Sequence, residues 1–578
     1  MPKPNTFCAI FERNVPSRMR DGTTLYADVW RPAQAGRYPI LLQRLPYNKA
    51  LTQATLALDP ARAVEAGYCV IIQDTRGRYA SEGNFTPFFH EVDDGYDTVE
   101  WAARLPWSNG QVGMYGGSYM GATQWLAALR RPPHLRALFP QVTTDDYHNG
   151  WAYEGGAWQL GFMLHWILAR LALDSLSRRE QGREDVQQRR AALLALLTDH
   201  TVAYRQRPLR QELLRDLAPF YDEWLARGED LAYWQDLRVA DQYGEIAVPA
   251  YHVGGWYDLF ARGTLASYTA ATAAGVAPHK LLMGPWTHLN GTEFIGERDF
   301  GPSSSQLALD LTAIQLRWFD HWLKGQDTGL LDEPPIRLFV MGANTWRFAH
   351  EWPLARTRYT PYYFHSVGGA NSVGGDGLLT LQAPDSDEPA DRFIYNPEEP
   401  IPTCGGATLL PGFAIGRGAG PYEQSEVEAR ADVLVYTSPP LPDDLDVIGP
   451  LVLHLYARTS ARDTDWTAKL TEVLPDGRSY NLADGIVRAR YRNGYQQPEL
   501  LETGAIVHYT ITMGATSNRF KAGHRLRVQI SSSNFPRFDA NPNTGDVIAT
   551  AMTTVCAEQE VFHTCAYPSH VLLPVVPA

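Results

Sequence analysis

The chain has 578 residues, several times the usual domain size, so two or three domains with substantial cores are expected. Its 51 Lys plus Arg against 64 Asp plus Glu leave a formal charge of −13, which disfavours attraction to phosphate backbones and anionic bilayers and argues against nucleic acid as a partner. The first 22 residues hold no unbroken apolar segment, and no run of about 18 apolar residues occurs, so the expectation is a soluble, cytoplasmic protein with no membrane partner.

From 1 to 144, short apolar runs alternate with turn signals and helical patterns: YPILLQRLPY, then YCVIIQDTRGRY, then QVGMYGGSYMGATQWLAALR. Ile40-Leu41-Leu42 and Val70-Ile71-Ile72 are apolar on both alternating faces, as in parallel strands covered by helices on both sides. Over 145–240 the pattern turns to long helical stretches, WQLGFMLHWILARLALDSL and AALLALLTDHTVAYRQRPLRQELLRDLAPFYDEWL, with no strand evident between them. This predicts a helical cap inserted into an α/β sheet domain, which resumes over 241–350 with IAVPAYHVGGWYD and KLLMGPWTH as strands. From 351 to 578, β-rich pieces such as GPLVLHLYARTS and GHRLRVQISSS are separated by Gly, Pro, Asp and Asn, which predicts a β-sandwich or jelly roll. The Gly-rich SVGGANSVGGDG reads as a loop. The five cysteines, Cys8, Cys69, Cys404, Cys556 and Cys565, form no CxxC pair and read as reduced thiols rather than a zinc or redox site.

The strongest local signal is Gly116-Gly117-Ser118-Tyr119-Met120-Gly121, set between a strand pattern and a helix pattern. A serine on so sharp a turn needs small neighbours, and the turn lifts its hydroxyl above the carboxyl edge of the sheet. The usual G-x-S-x-G spacing is not met, because Met120 takes the second place after the serine and glycine follows at 121. Serine is a poor nucleophile at neutral pH and needs a histidine base held by a carboxylate. Asp258 follows the strand VPAYHV and the turn Gly254-Gly255-Trp256-Tyr257, and His288 follows KLLM and the turn Gly284-Pro285-Trp286-Thr287. A single histidine is more often structural, and a single Asp after a strand more often a helix cap. The order Ser, Asp, His, each just beyond a strand, is that of α/β-hydrolases.

At these residues the chain resembles the bacterial cocaine esterase and α-amino-acid ester hydrolase family, relatives of the X-Pro dipeptidyl-peptidases, whose elbow reads G-x-S-Y-x-G. The likeness extends to Met19-Arg20-Asp21-Gly22, Gln73-Asp74-Thr75-Arg76-Gly77-Arg78, Gly255-Trp256-Tyr257-Asp258, Gly284-Pro285-Trp286-Thr287-His288 and Asp463-Thr464-Asp465-Trp466. The resemblance implies an α/β-hydrolase domain with a helical cap insertion and a C-terminal jelly roll. It also implies a Ser118, Asp258, His288 triad and an oxyanion hole from the Tyr119 backbone N–H and the Tyr47 phenol. An aromatic acyl pocket of Trp151, Trp166 and Phe260 matches its cocaine esterase branch.

The ammonium-binding acids of the amino-acid ester hydrolases are expected two and three positions after the catalytic Asp, where this chain has Phe260 and Ala261, and near 149–152, where Glu154 is the nearest carboxylate following. The reading is therefore hydrolysis of a small-molecule ester with a hydrophobic or aromatic acyl group, with no metal and no cofactor. Amide or peptide cleavage is the alternative within hydrolases; carbohydrate or protein binding by the C-terminal β domain is the alternative outside them. The oligomeric state stays open, a homo-oligomer included.

Overall fold

The computed structural model describes residues 8–179, 184–411 and 417–577. Ten strands build the first sheet: β1 (Ala9–Arg18), β2 (Thr24–Pro32), β3 (Tyr38–Leu45), β4 (Cys69–Asp74), β5 (Ser108–Gly117), β6 (Leu135–Gln141), β7 (Ala250–Tyr257), β8 (His279–Thr287), β9 (Ile336–Val340) and β10 (Thr345–Ala349). Their spatial order is β1-β2-β4-β3-β5-β6-β7-β8-β9-β10. The pairings from β4 through β9 are parallel, while the β1–β2, β2–β4 and β9–β10 pairings are antiparallel. Every residue of β4, β7 and β8 is buried, so both faces of these strands are covered. The pleat sends alternate residues to opposite cores. Ile40 and Leu42 join one core with Trp125 and Leu126, and Leu41 joins the other with Trp318 and Phe319.

From β3 the chain crosses to β4 on one side and then to β5 on the other. That reversal opens a crevice beyond the carboxyl ends of β3 and β5, the usual place for a ligand in an open α/β sheet. Tyr47 and Ser118 each follow one of these two strands.

Between β6 and β7 the residues are mainly helical, with departures from expectation. Tyr153–Glu154 and Ala157–Trp158 pair as a short hairpin, turned by Gly155 (φ 55°) and Gly156 (φ 92°). A side chain at Gly155 would place its Cβ 1.9 Å from the Ile486 carbonyl oxygen, so the turn packs directly on the C-terminal β region. The expected second long helical stretch is divided into Val186–Thr198, Thr201–Arg205, Leu214–Leu217 and Pro219–Ala226. Asp199 accepts from the Thr201 amide at 2.9 Å, and Pro219 occupies a first-turn position, both of which restart a helix rather than continue one.

Thr345–Ala349 is the last strand of the first sheet, and Arg358–His365 is the first of a second, eleven-stranded one. Its strands pair antiparallel except for one contact between Leu378–Thr380 and Leu434–Thr437. Buried and half-buried residues alternate along most of Leu445–Thr459, the mark of a strand with one face in a core. That core contains Leu453, Trp466 and Val528 together with Trp256, Tyr257 and Met283 of the first sheet's β7 and β8. No helix among the described residues is long and apolar enough to cross a membrane.

Candidate active site

Ser118 stands between β5 and the helix Tyr119–Leu129 with φ 61° and ψ −125°, a conformation that costs a non-glycine residue of order 1–3 kcal/mol. Its surroundings hold it there. The Ser118 amide donates to the Gln141 carbonyl at the end of β6 at 2.9 Å. Gly116 has φ 126°, and a Cβ on it would lie 2.6 Å from Met120 Cβ; a Cβ on Gly121 would lie 2.7 Å from Thr143 Cβ. The glycine displaced to 121 is thus where the elbow helix presses on the segment after β6, while Met120 packs back over Gly116.

His288 comes directly after β8 and Asp258 directly after β7, so three strand ends converge on one point. Ser118 Oγ donates to His288 Nε2 at 2.9 Å, and His288 Nδ1 donates to Asp258 Oδ1 at 2.7 Å. These directions follow from the only tautomer that lets the imidazole accept the serine proton. Asp258 is fully buried, and its Oδ2 meets no donor among the described residues. The carboxylate's partner is therefore the imidazole, which suits it to stabilise an imidazolium.

The two tyrosines differ in what they present. Tyr119 is the first residue of its helix, so its backbone N–H has no intrahelical acceptor. Its side chain is turned away: the phenol donates to Glu91 Oε1 at 3.0 Å and accepts from the Phe88 amide at 3.0 Å. The Tyr47 phenol faces Trp166. Trp166 Nε1 donates to Tyr47 Oη at 2.8 Å, which fills an acceptor position and leaves the O–H to donate. Burial pushes the Tyr47 phenol up to about 12, against the opposing pull of the Trp166 N–H, so the group is a neutral donor.

Trp151, Trp166 and Phe260 come together as a continuous aromatic wall. Trp151 stacks on Phe260 at 4.6 Å between ring centroids and meets Trp166 edge-on at 5.4 Å. Phe260 in turn meets the His288 ring edge-on at 5.4 Å, which sets the wall beside that imidazole. Sequence reasoning missed Phe162, which contacts all three at 5.5 to 6.1 Å. Its signal was available, because it lies four residues before Trp166 on one helix face.

Glu154, the remaining candidate for an ammonium-binding acid, is nearly buried and accepts from Arg537 Nη2 at 3.2 Å, with Arg262 at 3.9 Å. Its charge is committed to these cations.

The X-Pro dipeptidyl-peptidase (S15 family) description matches residues 21–290, and that of the X-Pro dipeptidyl-peptidase C-terminal non-catalytic domain matches residues 328–572. The chain is 39% identical to a cocaine esterase of Rhodococcus sp. (strain MB1 Bresler), over 97% of this chain and 98% of that one. An aminopeptidase structure from a marine sediment archaeon, Thaumarchaeota archaeon, superposes with a TM-score of 0.83 at 25% identity, covering 100% of this chain and 98% of the other. An α-amino acid ester hydrolase structure shares the fold, with a TM-score of 0.80 at 24% identity over 100% of this chain and 98% of that one. With both family regions present and this likeness running the length of the molecule, the chain belongs to the X-Pro dipeptidyl-peptidase-like (S15) hydrolase family that includes cocaine esterase.

Proposed function

We propose that the protein is a serine hydrolase that cleaves small-molecule carboxylic esters with a hydrophobic or aromatic acyl group. The observation that carries this reading is the continuous hydrogen-bond relay from Ser118 through His288 to Asp258, set at the sheet's switch point against an aromatic wall. In the first step His288 Nε2 takes the Ser118 proton as Oγ attacks the ester carbonyl. Negative charge then develops on the former carbonyl oxygen, for which the Tyr119 N–H and the Tyr47 O–H are the proposed donors, each contributing about 3 kcal/mol. Collapse expels the alcohol, which takes the proton back from the imidazolium, and water activated by His288 cleaves the acyl-enzyme.

Trp151, Trp166 and Phe260 are proposed to hold the acyl group, supported by their contact with one another and with the His288 ring. The division into a hydrolase domain over 1–144 and 241–350, an insertion over 145–240 and a β domain over 351–578 belongs to the same proposal. It is supported by the change of sheet between Ala349 and Arg358.

A second reading, amide or peptide cleavage, draws on the name of the family and of the archaeal aminopeptidase. Against it stands Glu154, whose pairing with Arg537 leaves it poorly placed to bind a substrate ammonium. Hydrolysis of p-nitrophenyl acetate, butyrate and benzoate beside phenylglycine methyl ester and a Gly-Pro anilide, by wild type and Ser118→Ala, tests both. The expected result is simple-ester and benzoate turnover that disappears in Ser118→Ala. Selective cleavage of the amino-acyl substrates would overturn the acyl-pocket reading in favour of the second.

A further inference from the structure

The segment after β4 carries Arg78, a guanidinium with no solvent exposure in a region the reaction does not use directly. On one side its Nε donates to the carbonyl of Pro46, the neighbour of Tyr47, at 3.0 Å. On the other side Nη1 donates to the Leu171 carbonyl and to Ser175 Oγ, both at 3.2 Å, and Nη2 donates to the Arg170 carbonyl at 3.3 Å. Asp174 supplies the counter-charge at 3.4 Å. One planar fork therefore ties the Tyr47 turn to the helix that carries Trp166, a geometry that a lysine's point charge cannot reproduce.

The docked stretch is unusual. Leu160–Trp166 is α-helical, and Ile167–Ala172 continues it as a π-helix before α-helix resumes at Leu173. A π turn bonds i to i+5 rather than i to i+4, so the register of carbonyls slips where it ends. Arg170 and Leu171, whose carbonyls receive Arg78, lie at that end. Further contacts close the joint: the Tyr79 amide donates to Asp174 Oδ2 at 3.3 Å, and in the opposite sense Arg178 donates to the carbonyls of Tyr79 and Ser81. Across the joint, Trp166 Nε1 reaches Tyr47 Oη at 2.8 Å, and the Arg170 guanidinium lies 4.9 Å from the centre of the Tyr47 ring.

A buried ion pair of this kind is weak evidence for stability, because packed apolar residues of similar volume often serve a fold equally well. What an arginine adds here is orientation of two backbone segments whose side chains meet at one phenol. We infer that Arg78 is a positioning residue for ester hydrolysis, holding the Tyr47 phenol and the Trp166 ring in one register so that docking of the inserted helix and assembly of the oxyanion hole are a single event. The inference rests on the reading of Tyr47 as an oxyanion donor.

The test is a kinetic double-mutant cycle on p-nitrophenyl butyrate with Arg78→Lys and Tyr47→Phe, alone and combined, in the full chain, with hydrogen exchange followed over residues 160–179. Tyr47→Phe alone tests the underlying reading: full kcat in that variant ends the oxyanion assignment, and with it the inference. With Tyr47 in place, Arg78→Lys is expected to lower kcat about tenfold with KM changed less than about threefold, and to speed exchange over 160–179. In the Tyr47→Phe background it should cost less than about twofold, because the phenol it positions is gone. An equal loss in both backgrounds, or unchanged kcat in a protein whose 160–179 exchange has risen, would overturn it. Should Arg78→Lys not fold, Asp174→Asn takes its place in the same cycle with the same expected pattern at smaller size.

Discussion

At the scale of single residues, the site rests on groups whose surroundings assign them distinct tasks. Asp258 is buried with one oxygen on His288 Nδ1, so Asp258→Asn should keep the fold and favour the wrong imidazole tautomer. We expect kcat to fall by about four orders of magnitude with a small change in KM; a rise in KM alone would contradict the role. Tyr47 makes a sharper prediction through its titration. An ordinary phenol is half ionised near pH 10, whereas burial pushes this one up to about 12. A donor with a raised pKa keeps its proton, and hence its contribution, as the pH rises through 10. Rates corrected for spontaneous hydrolysis should show no loss centred near pH 10, and a loss there that is absent from Tyr47→Phe would count against the assignment. The Tyr119 side chain could mislead at this scale. Its phenol is consumed by Glu91 and Phe88, so Tyr119→Phe should disturb packing while leaving the backbone donor in place.

At the scale of elements, the elbow shows why its residues are small. Gly116 combines φ 126° with a Cβ direction that runs 2.6 Å from Met120 Cβ, so Gly116→Ala carries strain and overlap together. It should destabilise the protein by about 1–3 kcal/mol in denaturant titration and lower kcat more than it raises KM, since the strain falls on the turn of the proposed nucleophile, Ser118. The strands and the elbow were legible because buried parallel strands and strand-turn-helix units have strong local signatures. The insertion was less so. Its helical pattern was visible, but breaks at Asp199 and Pro219, the hairpin at Gly155-Gly156 and the π-helical register at Ile167–Ala172 depend on caps and partners distant in sequence. Phe162 belongs with these: its spacing from Trp166 marks one helix face, but spacing alone does not say that the face meets Trp151 and Phe260.

At the scale of the whole molecule, the two sheets share one apolar core, and polar contacts cross the same boundary. The Tyr257 phenol of β7 donates to the Asn481 carbonyl of the second sheet at 3.3 Å. Arg537, from the C-terminal region, bonds Asp484 Oδ1 at 2.5 Å and Glu154 Oε2 at 3.2 Å in nearly complete burial. Arg537→Met removes the buried cation that Asp484 and Glu154 share and leaves Glu154 with only the more distant Arg262, which should cost about 3–5 kcal/mol and lower Tm. A chain ending at residue 350 would keep the first sheet whole but expose the shared core beside Asp258, so it should yield no soluble, active esterase. Full activity in that truncation, with separate ligand binding by residues 351–578, would instead favour an independent binding role for the β region.

The amino-acid sequence by itself determined the order of strands and helices, the change from α/β to β texture and the serine, aspartate and histidine beyond their strands, because these depend on local periodicity and on chemistry that few residue types can perform. Only the tertiary structure decided which contacts close the site: that Tyr47 takes a hydrogen bond from Trp166, that Glu154 is neutralised by Arg537, and that Arg78 joins the Tyr47 turn to an inserted helix. Each pairs residues from distant parts of the chain. A partner's identity and distance are set by packing of the whole molecule, and no local pattern encodes them.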